Sequence, residues 1–222
     1  MNREIRVKGT DSISVRPDTI ELRIMAEGVY SDYALAVKKS AEATELLRNY
    51  IEQSGLDPKD LKTVHFNIDT EYESYRDEND NWKKRFVGYQ FDHRMYIRFP
   101  NDNAMLGKVL YQLSKCPVEV EFSINYTVND KAAVKNELLA KAVDDSKTKA
   151  EVLARVAGVQ LCEIKSIDYS WGELEIYSEP LHYLRDCSFP GSECDIDGSY
   201  GIDIEADDIN LQDTVTIVWS IG

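Results

Sequence analysis

Alternation of apolar and polar residues opens the chain: Ile5, Val7 and Gly9 are followed by Val15, Pro17 and Asp18. Two extended stretches separated by a turn-forming segment predict that the protein begins with paired strands, with Pro17 where no ladder donor is required. In the second stretch Ile20, Leu22, Ile24 and Ala26 share one face and Glu21, Arg23 and Met25 the other, the period of a half-buried strand. The pattern then changes to helical. Behind a cap at Ser31 or Asp32, apolar or small residues recur at Ala34, Val37, Ala41, Thr44, Leu47 and Ile51, to about Ser54, with Gly55 placed to end the helix.

Two long strands come next. In the first, Leu61 to Tyr75, Val64, Phe66 and Ile68 are expected to face inward; in the second, Arg85 to Phe99, the residues Phe91, His93, Met95, Ile97 and Phe99 share a face. The polar run 77–81 predicts a hairpin tip between them. A short helix carrying Leu106, Val109, Leu110 and Leu113 starts at Asn101 or Asp102 and must stop before Pro117. Val118, Val120, Phe122, Ile124, Tyr126 and Val128 then alternate with polar residues as a one-sided strand.

From Asn129 or Asp130 a second long helix runs to about Ala157 and closes at Gly158; Leu139, Ala142, Ser146, Ala150, Leu153 and Ala157 form its face. Most are small, so the helix backbone is expected close to a sheet. Strands Glu163 to Trp171 and Ile209 to Ile221 complete the pattern. Both long helices pass through a short connection into a strand, which hints at a duplicated unit, although no residue-by-residue identity supports a repeat. The elements predict an α+β fold in a single domain, 1–222, with antiparallel sheet, two long helices and one short one.

Charge interrupts this regularity at 172–208. Between Glu163 and Asp213 fourteen acids face two bases, so most of the net charge of −14 lies there. Such a stretch reads as an acidic, partly mobile excursion. Forty acidic against twenty-six basic side chains also disfavour a general nucleic-acid or anionic-membrane binder. No stretch is apolar enough to span a membrane. Met1 to Thr10 has no apolar targeting segment, and Cys116, Cys162, Cys187 and Cys194 have no Cys-x-x-Cys spacing, with the first two expected to be buried thiols; both observations predict a cytoplasmic protein.

Candidate chemistry is sparse. Glu193-x-Asp195-x-Asp197-Gly198 resembles half of a calcium loop, but position twelve is Ile204 and Glu205 falls one place late, so a solvated acidic loop is the better reading. Cys187, Cys194 and His182 are too few and too irregular for zinc. No metal or other cofactor is expected, and no catalytic set is assigned. For an enzyme, the available groups are His65 with Glu71 and Glu73, or His93, in a pocket between sheet and helix; each has a plainer reading, as a water-facing row or a satisfied core histidine. Aromatic residues including Tyr75, Trp82, Phe86 and Tyr89, interleaved with Arg and Lys, mark an interface between copies of the chain.

Taken in order, Ile5, Val7, Gly9, Pro17-Asp18, Thr63, Gly88-Tyr89, Ala142, Lys149-Ala150-Glu151, Leu153-Ala154, Gly158, Asp208-Ile209 and Thr214-Val215-Thr216-Ile217 resemble the SIMPL domain family, which includes bacterial periplasmic immunogenic proteins. The resemblance covers most of the chain outside the acidic excursion. It implies helices packed on antiparallel sheet, assembly into ring- or channel-like homo-oligomers and an association with oxidative stress, with no catalytic residues to carry over. Together these readings favour a self-associating, non-enzymatic protein. The alternative is a small-ligand enzyme or hydrolase, with a ligand the sequence does not name.

Overall fold

The computed structural model describes residues 3–169, 176–178 and 204–222. The acidic segment's calcium-like loop and its Cys187, Cys194 and His182 lie outside them. The fold is α+β: the described residues form seven strands in two sheets, with three α-helices. The chain divides into two compact units.

The first unit takes its residues from 1–18, 127–178 and 207–222. Its sheet has the order β1-β7-β6, from β1 (Glu4–Val15), β6 (Leu161–Asp168) and β7 (Ile209–Ile221). The opening strand does not pair with the one that follows it. It pairs antiparallel with the last, Val7 opposite Ile217 and Ile13 opposite Leu211. Local alternation specified the strand; its partner was chosen by burial, because Val7, Val215, Ile217 and Trp219 form one apolar cluster.

Helix α3 (Lys131–Ala157) covers this cluster. Asp130 caps its N-terminus, accepting from Ala133 N, and Gly158 ends it with φ +70°. The buried stripe is Leu138, Ala142, Ser146, Ala150 and Ala154, so the small central residues are as expected while Leu153 points outward. A four-residue spacing exceeds the 3.6-residue turn, so the stripe winds around the helix instead of following one straight edge. At its middle the helix backbone meets β1 at Gly9, where a Cβ would run into the Ala142 carbonyl oxygen and stand 2.7 Å from Ser146 Cβ.

The second unit takes its residues from 19–126 and 179–206. Its sheet has the order β3-β4-β2-β5, formed by β2 (Thr19–Tyr30), β3 (Lys62–Arg76), β4 (Trp82–Pro100) and β5 (Val120–Thr127). Helices α1 (Tyr33–Gln53) and α2 (Asn103–Ser114) start at caps Asp32 and Asp102. Ile20, Leu22 and Ile24 of β2, Leu47 and Ile51 of α1, Phe91, Met95 and Ile97 of β4 and Leu106 of α2 make the core. Each such side chain contributes about 1.5–3 kcal/mol on burial.

Some expected burial is absent. Val64 and Phe66 of β3 are 67% and 48% exposed, because α1 lies over β2 and β4 and touches β3 only lightly. In β5 Phe122 is exposed while Asn125 and Thr127 are buried, so the strand is not one-sided throughout. Cys162, expected to be buried, is exposed.

Candidate functional site

Strand β3 pairs along its whole length with Trp82 to Tyr96 of β4, but β2 reaches only as far as Tyr30 opposite Tyr89. Beyond that point Glu71 to Gly88 continues as a two-stranded arm. Its tip is held by Asp77, whose carboxylate accepts from Asn79 N and Asn81 N, and Asp80 adopts φ +62° there.

Two β-bulges decide which residues share a face. One falls between Thr63 and His65, the other between Glu71 and Tyr72, where Val87 is the extra residue on β4. The second lets Phe86 and Tyr89, three apart, lie on the same side. Ring contacts follow that side: Tyr33 to Tyr89 at 5.8 Å, Tyr89 to Phe86 at 5.5 Å and Phe86 to Tyr72 at 5.7 Å, all edge-on. Trp82, 67% exposed, extends the strip with the Arg76 guanidinium 5.0 Å from its ring. Of the four residues expected at an interface, Trp82, Phe86 and Tyr89 therefore share a face. Tyr75 pairs with Lys83 on the other one, beside the Glu73–Arg85 ion pair.

The first bulge builds a cleft. Thr63 pairs with Met95 and Phe66 with His93, so Thr63 and Phe66 both lie on the face toward α1. A concavity of about 620 Å³ opens there, lined by Val37, Ala41, Thr44, Glu45 and Arg48 of α1 together with Thr63, Phe66 and His93. His93 is 7% exposed and bonded at both ring nitrogens, Nδ1 to Thr44 Oγ1 at 3.1 Å and Nε2 to Thr63 Oγ1 at 2.9 Å. Thr44 donates its one hydroxyl proton to the Ser40 carbonyl at 2.8 Å, so toward the imidazole it accepts. The Nδ1–H tautomer follows, and Nε2 accepts from Thr63. Burial, and then the charge of Arg48, hold the imidazole pKa below its ordinary value, opposed in part by Asp92.

His65, Glu71 and Glu73 lie on the opposite face of β3 from His93, as the pairs His65–Arg94 and Phe66–His93 show. The two alternative sets of enzyme groups are thus on different faces: His65, Glu71 and Glu73 share the outer face of β3, and His93 stands on the side toward α1. The groups around His93 are instead Thr44, Thr63, Glu45 and Arg48, which the sequence reading passed over as site residues. Their one legible signal was a threonine inside the apolar stripe of α1, facing a lone histidine on the core side of β4. Among the described residues no cluster of His, Cys, Asp and Glu is arranged to hold a metal, and no helix is long and apolar enough to cross a membrane.

Glu21 is a second buried polar group, on β2. Its carboxylate, 3% exposed, accepts from Arg23 Nε at 2.8 Å and from Arg98 at 2.7–2.8 Å. Burial alone would raise its pKa; the bonds from Arg23 and Arg98 more than offset this and leave it lowered.

The chain is 27% identical over 164 residues to the 26 kDa periplasmic immunogenic protein of Brucella melitensis and 26% identical over 164 residues to that of Brucella abortus. Each alignment covers 73% of this chain and 65% of the relative, so the chain spans less than two thirds of the length of the curated relatives it matches. The model of the SIMPL family, described as a protein of unknown function (DUF541), matches residues 5–219, from the first strand of the three-stranded sheet to the last. With all three helices and all but the outermost residues of the sheets inside that match, the chain belongs to the SIMPL family.

Proposed function

We propose that the protein acts by self-association, as a non-enzymatic oligomeric scaffold, and that the Glu71–Gly88 arm is the contact between copies. The observation that carries this is the aromatic strip, whose rings stay largely exposed among the described residues. A two-stranded ribbon is at best marginally stable in water by itself, and Tyr72, Trp82 and Phe86 remain 50%, 67% and 45% exposed.

A second copy is the partner that the charges favour. The chain carries −14, which repels its own kind at a distance, yet Glu71–Gly88 holds five acids and four bases. Glu73, Lys83 and Arg85 lie on the face away from the aromatic strip, Glu73 paired with Arg85 and Lys83 with Asp77, so much of the arm's charge is met within the arm. Two arms can therefore meet through the aromatic face, about a two-fold axis, without the repulsion carried by the rest of the chain.

Sedimentation velocity at micromolar concentration, repeated at several salt concentrations, tests the reading. The native protein is expected to sediment as an oligomer, and Trp82→Lys with Phe86→Lys as a monomer of unchanged circular dichroism. A native protein that stays monomeric throughout, or an oligomer indifferent to both changes, overturns it. As to location, the relatives' names carry the word periplasmic, which supports an envelope location over the cytoplasmic one expected from residues 1–10; cell fractionation decides between them.

A further inference from the structure

The cleft beside His93 lies apart from the aromatic strip, and three kinds of wall converge on it. Val37 and Phe66 are 40% and 48% exposed, an unusual position for large apolar side chains lining a concavity, and with Ala41 they offer a flat apolar surface. Thr63 offers an oxygen. Its proton is committed to His93 Nε2, and the Nδ1–H of that imidazole is committed to Thr44, so what Thr63 has left for a ligand is acceptor capacity. Arg48 offers a cation, for its guanidinium has no ion pair with another described residue.

An apolar slab, a fixed acceptor and a guanidinium fork complement a particular ligand chemistry. We propose that this cleft binds a small aromatic carboxylate bearing a hydroxyl group, with its ring on Phe66 and Val37, its hydroxyl donating to Thr63 Oγ1 and its carboxylate on Arg48. The cleft, at about 620 Å³, is of ordinary size for small-molecule sites. A planar carboxylate suits the bidentate geometry of arginine. Glu45 lines the same cleft three residues before Arg48, and its charge works against any anion, most of all a doubly charged phosphate.

Isothermal titration of the full chain with 4-hydroxybenzoate, followed in parallel by the NMR signals of His93, Thr63 and Val37, tests the assignment. Saturable binding that shifts these three signals is expected. Arg48→Gln should weaken it about tenfold or more, and Glu45→Gln should tighten it, because one removes the attracting charge and the other the repelling one. Thr63→Val should lower the affinity for 4-hydroxybenzoate about three- to tenfold while leaving benzoate, which has no hydroxyl, unchanged. All three positions are exposed, so the variants should fold, and thermal unfolding checks that they do. The proposal fails if no saturable shift occurs at these residues, if 4-hydroxybenzyl alcohol binds as tightly as 4-hydroxybenzoate, or if Arg48→Gln leaves the affinity unchanged.

Discussion

Gly9 of β1 lies against Ala142 of α3 so closely that no side chain fits between them: a Cβ on Gly9 would strike the Ala142 carbonyl oxygen, with Ser146 backbone and Cβ also at 2.7 Å. The obstacle is backbone, which cannot swing aside as a flexible side chain would. Gly9→Ala is therefore expected to destabilise the protein by about 3 kcal/mol, at the upper end for overpacking. Urea unfolding measures it. A loss below about 1 kcal/mol would show that α3 shifts to make room.

Removing the Glu21 carboxylate leaves Arg23 and Arg98 without their common acceptor. Glu21→Ala should cost about 2–4 kcal/mol, less than for a fully dry pair because the two arginine side chains are 50% and 45% exposed. The same group gives a pH signature. Its pKa is lowered in the folded protein, so its contribution is fully present above the unfolded-state value near 4.5 and is lost as pH falls through the lower folded value. Acid unfolding of the native protein and of Glu21→Gln should converge below that range and separate above it.

Tyr126 is fully buried, and its hydroxyl has no hydrogen-bond partner among the described residues. Burial raises its pKa, so the phenol stays protonated and its O–H remains a desolvated donor. Tyr126→Phe keeps the ring and removes that unpaired group, and it is expected to stabilise the fold by about 1 kcal/mol, within the cost of an unmet buried hydrogen bond. Thermal unfolding should show a higher Tm; a lower one would reveal a partner for the hydroxyl.

Because burial and Arg48 both disfavour the imidazolium, Arg48→Gln should raise the pKa of His93 while burial keeps it below that of an exposed histidine. NMR titration of the ring signals reads this directly. His93 then contributes stability that is fully present above its unfolded-state pKa and falls away as pH drops below it through the folded value, since the unfolded chain binds the proton more readily. Asp92 acts in the opposite sense to Arg48, so Asp92→Asn should move the pKa further down.

Sequence by itself determined the elements, their caps and much of their facing. The period-two runs of β2, β4 and β7, the caps to within two neighbouring residues each, of which the structure uses Asp32, Asp102 and Asp130, and the small-residue stripe Ala142, Ser146 and Ala150 follow from the chemistry of a few neighbouring residues. The family was legible too, because those local signals stand in a characteristic order. Partner choice was not: β1 pairs with β7, about two hundred residues away, and alternation cannot say which apolar row a strand will meet. Nor were the two bulges legible. Each inserts a single residue, at Val64 and Val87, yet reverses the facing of everything beyond it, bringing Thr63 alongside Phe66 and Phe86 alongside Tyr89. Strand pairing and bulge position are set by how whole elements bury their apolar area together, and for that reason the cleft and the aromatic strip exist only in the folded chain.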